Sequence, residues 1–532
     1  MDDTPICVCA TADTLTLYWD KPAGAPADCR YEVCAGGRFP VTVPHTHCTL
    51  TGLAPSTEYT LEVWLDGQSL GTSRASTEPR LPRLDARDFG AVGDGKTLNT
   101  KALQAAIDAC GRNMEVYLPA GVFLTGALRL HSDMTLYLEE GAVLQGSRDP
   151  DDYAPRIWSR FEGIEQDCYQ SLLNLGCLCH KDGPSCRHVR IYGHGTIRGG
   201  GRALALATIE RERQQLQAYL EKNAALVASC ENENTIPGRV RGRLINLSNC
   251  ADVRISGLTL EDGPCWNVHM IYCQDIVTDH CTFRSEGVWN GDGWDPDSSQ
   301  RCTLFACRFA TGDDMVAIKS GKNPEGNRIG RPARDIRIFD CTSELGHGIA
   351  IGSEMSGGVE GVQIWDCDID NSAYGIEIKG TPQRGGYVRD ITVRDCRVPR
   401  VLIHAVPYNN DGVPAPPPAG IFRFFLLRAD PDGPRPGGRG LADGAPGGGG
   451  GLRRARLRGA RCTVPGLHPA PNRPRAAAAP LPWRDLCPWT GRDGSGMRQA
   501  RPRRARAATA PTLTEALRPF CRGRSQGVQY KP

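Results

Sequence analysis

The sequence predicts an all-β chain: a parallel β-helix solenoid, with a small β-sandwich before it and an irregular tail after it. Three observations carry that prediction. One strand pattern is written six times from residue 250 onward: Val253/Ile255/Leu258, Ile276/Thr278/Cys281/Phe283, Cys302/Leu304/Cys307/Phe309, Ile336/Ile338/Cys341, Val362/Ile364/Cys367/Ile369 and Ile391/Val393/Cys396/Val398. Its marker position recurs after 23 to 34 residues, as in coils with loops of varying length. The strands are short and alternating, and Gly, Asp or Asn turns separate them, in keeping with 62 Gly and 39 Pro in the chain. Finally, the stretch 290–314 carries Asp292, Asp295 and Asp297 at one end, Asp313 and Asp314 at the other, and an apolar strand between. Those two ends meet only if the chain coils back about once, which is solenoid geometry.

Composition bounds the function. A chain of 532 residues exceeds one ordinary globular core unless much of it is a solenoid. The net charge of +3 divides into +16 for residues 414–532, with 21 Arg, one Lys and six acids, and −13 for the rest. An acidic body excludes a nucleic-acid binder. No segment is apolar enough to span a membrane. The start MDDTPICVCATADTLTLYWD lacks the basic and apolar runs of a signal sequence, so the expected location is cytoplasmic, or secreted if the N-terminus is incomplete. Many of the 23 Cys recur at one strand position without a His or second Cys beside them, so they read as buried thiols rather than disulfides or a metal ladder.

Taken in order, residues 5–79 alternate as a β-sandwich does, at Leu15 to Trp19, Tyr31 to Val33 and Tyr59 to Trp64. The piece TLTGLAPSTEYTLEVWLDG resembles the closing half of a fibronectin type III domain. The resemblance makes Trp19 the core tryptophan, Leu53 a core plug and Tyr59 a tyrosine corner. Such modules are spacers or docking pieces, and no chemistry is assigned to it. Residues 80–87 read as a linker, and the solenoid is expected over 88–413. DFGAVGDGKTLNTKALQAAIDAC is a Gly-rich turn and an amphipathic helix, roughly Asn99 to Cys110, with Leu103, Ala106 and Ile107 on one face. Its GDG lacks the Lys-Ser/Thr ending of a phosphate loop. The stretch resembles the N-terminal cap of pectin-degrading right-handed β-helices. Residues 203–229 read as a helical excursion, either solvated or a lid over one end of a groove.

Carboxyl groups converging on one patch repel, so at least one keeps a proton near neutrality. A proton donor beside an ionised base is what hydrolysis of a glycosidic bond requires. Taken alone, such a cluster is also compatible with a Ca2+ site or a solvated Asp-rich turn. NGDGWDPDSS, TGDDMVAIKSGKN, ELGHGIAIGSE and YGIEIKGT, however, fall in order on successive coils. Together they resemble the four signature segments of glycoside hydrolase family 28, the polygalacturonases, over about residues 85–413. The resemblance implies a right-handed, pectin-lyase-like β-helix that needs no cofactor or metal and acts on pectic oligo- or polysaccharide. It implies inverting hydrolysis of α-1,4-galacturonosidic bonds. Asp313 would be the acid, its pKa raised by crowding; Asp292 and Asp314 would hold and deprotonate water, and His347 would tune the acid. Asn290 opens the first motif, with Gly291 where the family has Thr, and Lys379 would meet a uronate carboxylate.

One departure bears on substrate. Glu377 stands where the family commonly has Arg, so the second cation at the binding site is expected from Arg384 or Lys319. DPDSS, the fibronectin-like leader and the missing signal resemble bacterial exo-acting members; a rhamnogalacturonan hydrolase, or a non-catalytic β-helix binding protein, is the alternative. The resemblance stops near Val413. The Arg/Ala/Gly/Pro-rich remainder, 414–532, cannot bury a core and is expected to be disordered. It reads as a segment out of frame, with a basic arm for an acidic polymer as the alternative.

Overall fold

The computed structural model describes residues 5–36, 40–179, 183–381 and 384–406, with the short strands Leu427–Arg428 and Ala455–Leu457. Apart from those two strands, the expectations for 414–532 lie outside the described residues.

Among the described residues the solenoid strands form three sheets, of eleven, nine and seven strands, whose solenoid neighbours pair in parallel. Each regular coil places one strand in each sheet. The coil from Gln274 to Asp297 illustrates it: Gln274–Asp279 in the eleven-stranded sheet, Thr282–Arg284 in the seven-stranded one, then Trp294–Asp297 in the nine-stranded one. Registers hold from coil to coil, with Ile276, Cys302, Ile336, Val362 and Ile391 stacked directly. This column is buried in one continuous core.

Two columns of left-handed residues make the corners. Asp252, Asp275, Arg301, Asp335 and Asp390 open the eleven-stranded sheet at φ between 49° and 57°, and His280, Ala306, Asp340, Asp366 and Asp395 close it. Asp and Asn tolerate this conformation better than other residues with a Cβ, which explains the recurrent Asp there. Directly after the second corner come Cys281, Cys307, Cys341, Cys367 and Cys396, all buried free thiols. Each Sγ donates to the carbonyl two residues earlier, at 3.1–3.4 Å. A small side chain with a weak donor suits a corner where the carbonyl turns inward.

The solenoid begins earlier than expected. Arg83–Asp85, placed in the linker from sequence, pairs in parallel with Glu115–Leu118 and starts the eleven-stranded sheet. Helix Thr100–Ala109 packs Leu103, Ala106 and Ile107 into that end of the core. Ahead of it, antiparallel sheets of three and four strands enclose Leu15, Leu17, Trp19, Tyr31, Leu61 and Val63. Tyr59 makes its corner, with the phenol oxygen accepting from the Ala54 amide at 3.0 Å.

This sandwich is docked on the solenoid rather than spaced from it. Lys21 bonds Asp366 at 2.6 Å and Asp395 at 2.8 Å, and Arg337 reaches Asp20 at 2.6 Å. Tyr18 and His47 cover the stacked outer rings of Phe305, Phe339 and Trp365.

Candidate active site

The predicted carboxylates converge at one corner of the coils, where the seven-stranded sheet turns into the nine-stranded one. Three successive turns meet there, carrying Asp292, then Asp313 and Asp314, then His347. They stack closely. A Cβ on Gly291 would lie 2.8 Å from the Val288 carbonyl, and one on Gly312 only 2.4 Å from it. The tightness of its own turn accounts for glycine at 291, and the close approach of the turn before it accounts for glycine at 312.

The nine-stranded sheet supplies the floor. Its strands alternate, so Trp294, Val316, Ile318, Ile349, Ile376 and Ile378 enter the core. Asp295, Asp297, Ala317, Ala350, Glu377 and Lys379 take the other face. Lys319, just beyond Val316–Ile318, bridges to Asp297 in the same register.

The charges pair in two groups. Lys319 Nζ lies 3.1 Å from Asp292 Oδ2, 3.3 Å from Asp295 Oδ2 and 3.7 Å from the centre of the Trp266 ring, all buried. Lys379 Nζ lies 3.2 Å from both Asp314 Oδ2 and Glu377 Oε2. His347 Nδ1 stands 2.9 Å from Asp313 Oδ1 and 3.6 Å from Asp314 Oδ1. Asp313 and His347, with side chains 25% and 38% exposed, are the open edge of the cluster.

Burial pushes Asp292 well above the ordinary carboxylate range, against Lys319 and with help from Asp295, Asp313 and Asp314. Burial also raises Asp295, to about 7. Burial opposes ionisation of Asp314 too, but Lys379 and His347 outweigh it and hold that carboxyl low. Hydrogen bonds to Asp313 and Asp314 raise His347 to about 10. The cluster thus pairs carboxyls that retain protons with one that stays ionised, which is the division acid–base catalysis needs. The raised carboxyls are the buried pair Asp292 and Asp295. Asp313, Asp314 and His347 could also approach a metal ion, their ligand atoms lying within 4.8 Å of one another. The imidazole would first have to lose the proton those carboxylates hold on it.

The remaining expected residues are placed as follows. Asn290 Oδ1 accepts from Arg241 Nη2 at 2.7 Å, so it anchors the Asp292 turn. Arg384 is buried and donates to Ser353 Oγ, and its carbonyl accepts from Asn327 and Ser356. Several partners escaped the sequence reading. Asp295 was visible as an outward alternate of Trp294, but Trp266, Arg241 and His404, whose Nε2 lies 2.8 Å from Glu377 Oε1, come from other coils.

Two insertions enter the same corner ahead of the site. The hairpin Ile157–Phe161/Ile164–Cys168 crosses the floor, with Arg160 Nη1 2.8 Å from Asp297 Oδ1, Phe161 stacked on Trp266 at 4.8 Å, and the Gly163 carbonyl accepting from the Lys322 amide. The excursion expected at 203–229 is the helices Gly201–Lys222 and Ala224–Ala228. It packs on the 149–156 segment through Arg211–Asp151 and Arg156–Glu212, and its return segment delivers Arg241.

The description "Glycosyl hydrolases family 28" matches residues 182–406, the span that holds the whole cluster. Residues 182–406 are thus similar to this family. A second model, "Rhamnogalacturonase A/epimerase, pectate lyase-like", matches the capping coils at 84–138. A probable polygalacturonase of Vitis vinifera is 34% identical over 333 residues, 58% of this chain and 59% of that protein. The chain thus spans about three fifths of the length of that relative. An exo-poly-alpha-D-galacturonosidase of Dickeya chrysanthemi is 29% identical over 406 residues, 70% of this chain and 67% of its own length. Among solved structures, the family 28 exopolygalacturonase of Yersinia enterocolitica superposes with a TM-score of 0.67 at 23% identity, covering 80% of this chain and 86% of its own. That likeness establishes the shared β-helix fold.

Proposed function

We propose that this chain is a family 28 glycoside hydrolase that cleaves α-1,4-galacturonosidic bonds of pectic oligo- or polygalacturonate with inversion, acting from a chain end. One observation carries the reading: a half-buried carboxyl at the open edge, Asp313, lies 2.9 Å from His347 Nδ1, beside Asp314, which Lys379 Nζ reaches at 3.2 Å. Asp313 protonates the leaving oxygen, and the His347 proton resupplies it. Asp314, the carboxyl held low, deprotonates the water on the opposite face, and Asp292 helps to hold that water, as an inverting arrangement requires. Action from a chain end is supported by the Arg160 hairpin lying across the floor next to Asp297, and by the exo-acting relative from Dickeya chrysanthemi. The test is incubation with trigalacturonate. New reducing ends, release of single units and an inverted anomer by proton NMR support the reading. Products carrying an unsaturated unit that absorbs in the ultraviolet would overturn it in favour of elimination.

A further inference from the structure

The floor of the cleft carries an ion chain that ends on Glu377. Read across the nine-stranded sheet, it runs His404 Nε2 to Glu377 Oε1 at 2.8 Å, Glu377 Oε2 to Lys379 Nζ at 3.2 Å, and Lys379 Nζ to Asp314 Oδ2 at 3.2 Å. Glu377 is next to Ala350 in register, so only a methyl side chain separates it from the strand before. Lys379 therefore already serves two protein carboxylates, one catalytic and one not. A substrate carboxylate brought to Lys379 would have to compete with Asp314 and Glu377 for an ammonium that both already contact. An arginine at 377 would present a fork to such a carboxylate; a glutamate presents only acceptors.

We propose that Glu377, oriented by His404 and Lys379, makes the sugar position above it select an uncharged unit, of which galacturonate methyl ester is the form that keeps the proposed linkage. This rests on the hydrolase reading and narrows its substrate to partly esterified pectic chains. An ester carbonyl can accept from Lys379, or a hydroxyl donate to Glu377, without adding charge, whereas a free carboxylate sets a further anion beside Glu377 and competes for the Lys379 ammonium. Discrimination of about tenfold or more is expected, since like charges at contact distance near a protein surface interact by more than the free energy of one tenfold step.

The test uses the full chain, with Glu377→Gln and Glu377→Arg, against trigalacturonate and its methyl ester. Each pair is measured by calorimetric binding and by reducing-end release, with thermal unfolding as the check on folding. The parent is expected to bind and cleave the ester about tenfold better, Glu377→Gln to narrow the ratio, and Glu377→Arg to invert it. A parent that prefers the free acid, or variants that weaken both substrates without changing the ratio, overturns the proposal. If Glu377→Arg does not fold, Glu377→Gln decides alone: a narrowed ratio supports, an unchanged one refutes. Ester-selective binding that responds to Glu377 without any bond cleavage would sink the hydrolase reading and leave this assignment standing.

Discussion

Replacing Lys319 with methionine keeps most of the side-chain volume and removes its charge. The ammonium lies 3.1 Å from Asp292 and 3.3 Å from Asp295, all three buried. At an effective dielectric of about 20, Coulomb's law gives about 5 kcal/mol for each contact when both partners are ionised. The variant does not lose that sum, because buried carboxyls deprived of their cation take up protons instead. Asp295 already titrates at about 7 with Lys319 present. Its folded pKa therefore exceeds its unfolded one, so its contribution to stability is full below about pH 4 and is lost as pH rises through 7. Without Lys319 that window moves upward, and Asp292, raised by the same burial, follows. Net destabilisation of about 3 kcal/mol at pH 7 is expected, at the low end for a broken buried pair. Because Lys319 fixes the Asp292 carboxyl that helps to hold the water, kcat should fall by about tenfold in the variant. The assay is reducing-end release from oligogalacturonides at pH 4 to 9, with thermal unfolding at the same values. A variant with the parent's kcat and the parent's stability profile would refute the role of Lys319 in fixing Asp292.

Further outcomes follow from the same geometry. Asp313→Asn should cut hydrolysis by about 10² to 10⁴-fold while oligosaccharide binding and melting temperature stay near the parent's; activity within a few-fold of the parent would remove Asp313 as the acid. His347, raised to about 10, contributes stability that is full below its unfolded pKa of about 6.5 and fades as pH rises through 10. The parent's melting temperature should therefore fall more steeply than that of His347→Gln over that window, and parallel curves would contradict the pairing with Asp313 and Asp314. Arg241→Lys should loosen the Asn290 and Asp292 turn, lowering kcat about tenfold with KM little changed, because one ammonium cannot replace a guanidinium that bonds Gly238, Pro264, Trp289 and Asn290. Lys21→Met should cost about 2 kcal/mol in denaturant unfolding, since it strands two half-buried carboxylates under the sandwich. An unchanged midpoint would mean that the remaining contacts, Arg337–Asp20 and the rings among them, suffice to hold the sandwich.

Local chemistry made much of this protein legible in its sequence. The alternation of Ile276, Thr278 and Cys281 and its neighbours states the strand faces directly, because side chains alternate across a strand whatever surrounds it. The recurrent Asp before Cys341, Cys367 and Cys396 marks corners that need a left-handed residue, again a property of the residue itself. Asp313, Asp314 and His347 were legible as a group because their motifs follow in order on neighbouring coils.

What the sequence left undecided is who pairs with whom. Lys319 was expected to meet a substrate carboxylate, yet it is committed to Asp292 and Asp295, 27 and 24 residues away. Lys379, read the same way, is shared between Asp314, 65 residues distant, and Glu377, which itself holds His404. Nor could the linker reading of Arg83–Asp85 hold once that segment found an open strand edge at Glu115–Leu118. Arg160 closes on Asp297 across 137 residues, and Lys21 on Asp366 across 345. Such partners are chosen by coil stacking, by loops of unequal length and by the cost of leaving a buried charge unpaired. Those quantities depend on the whole packed molecule, and no window of residues contains them.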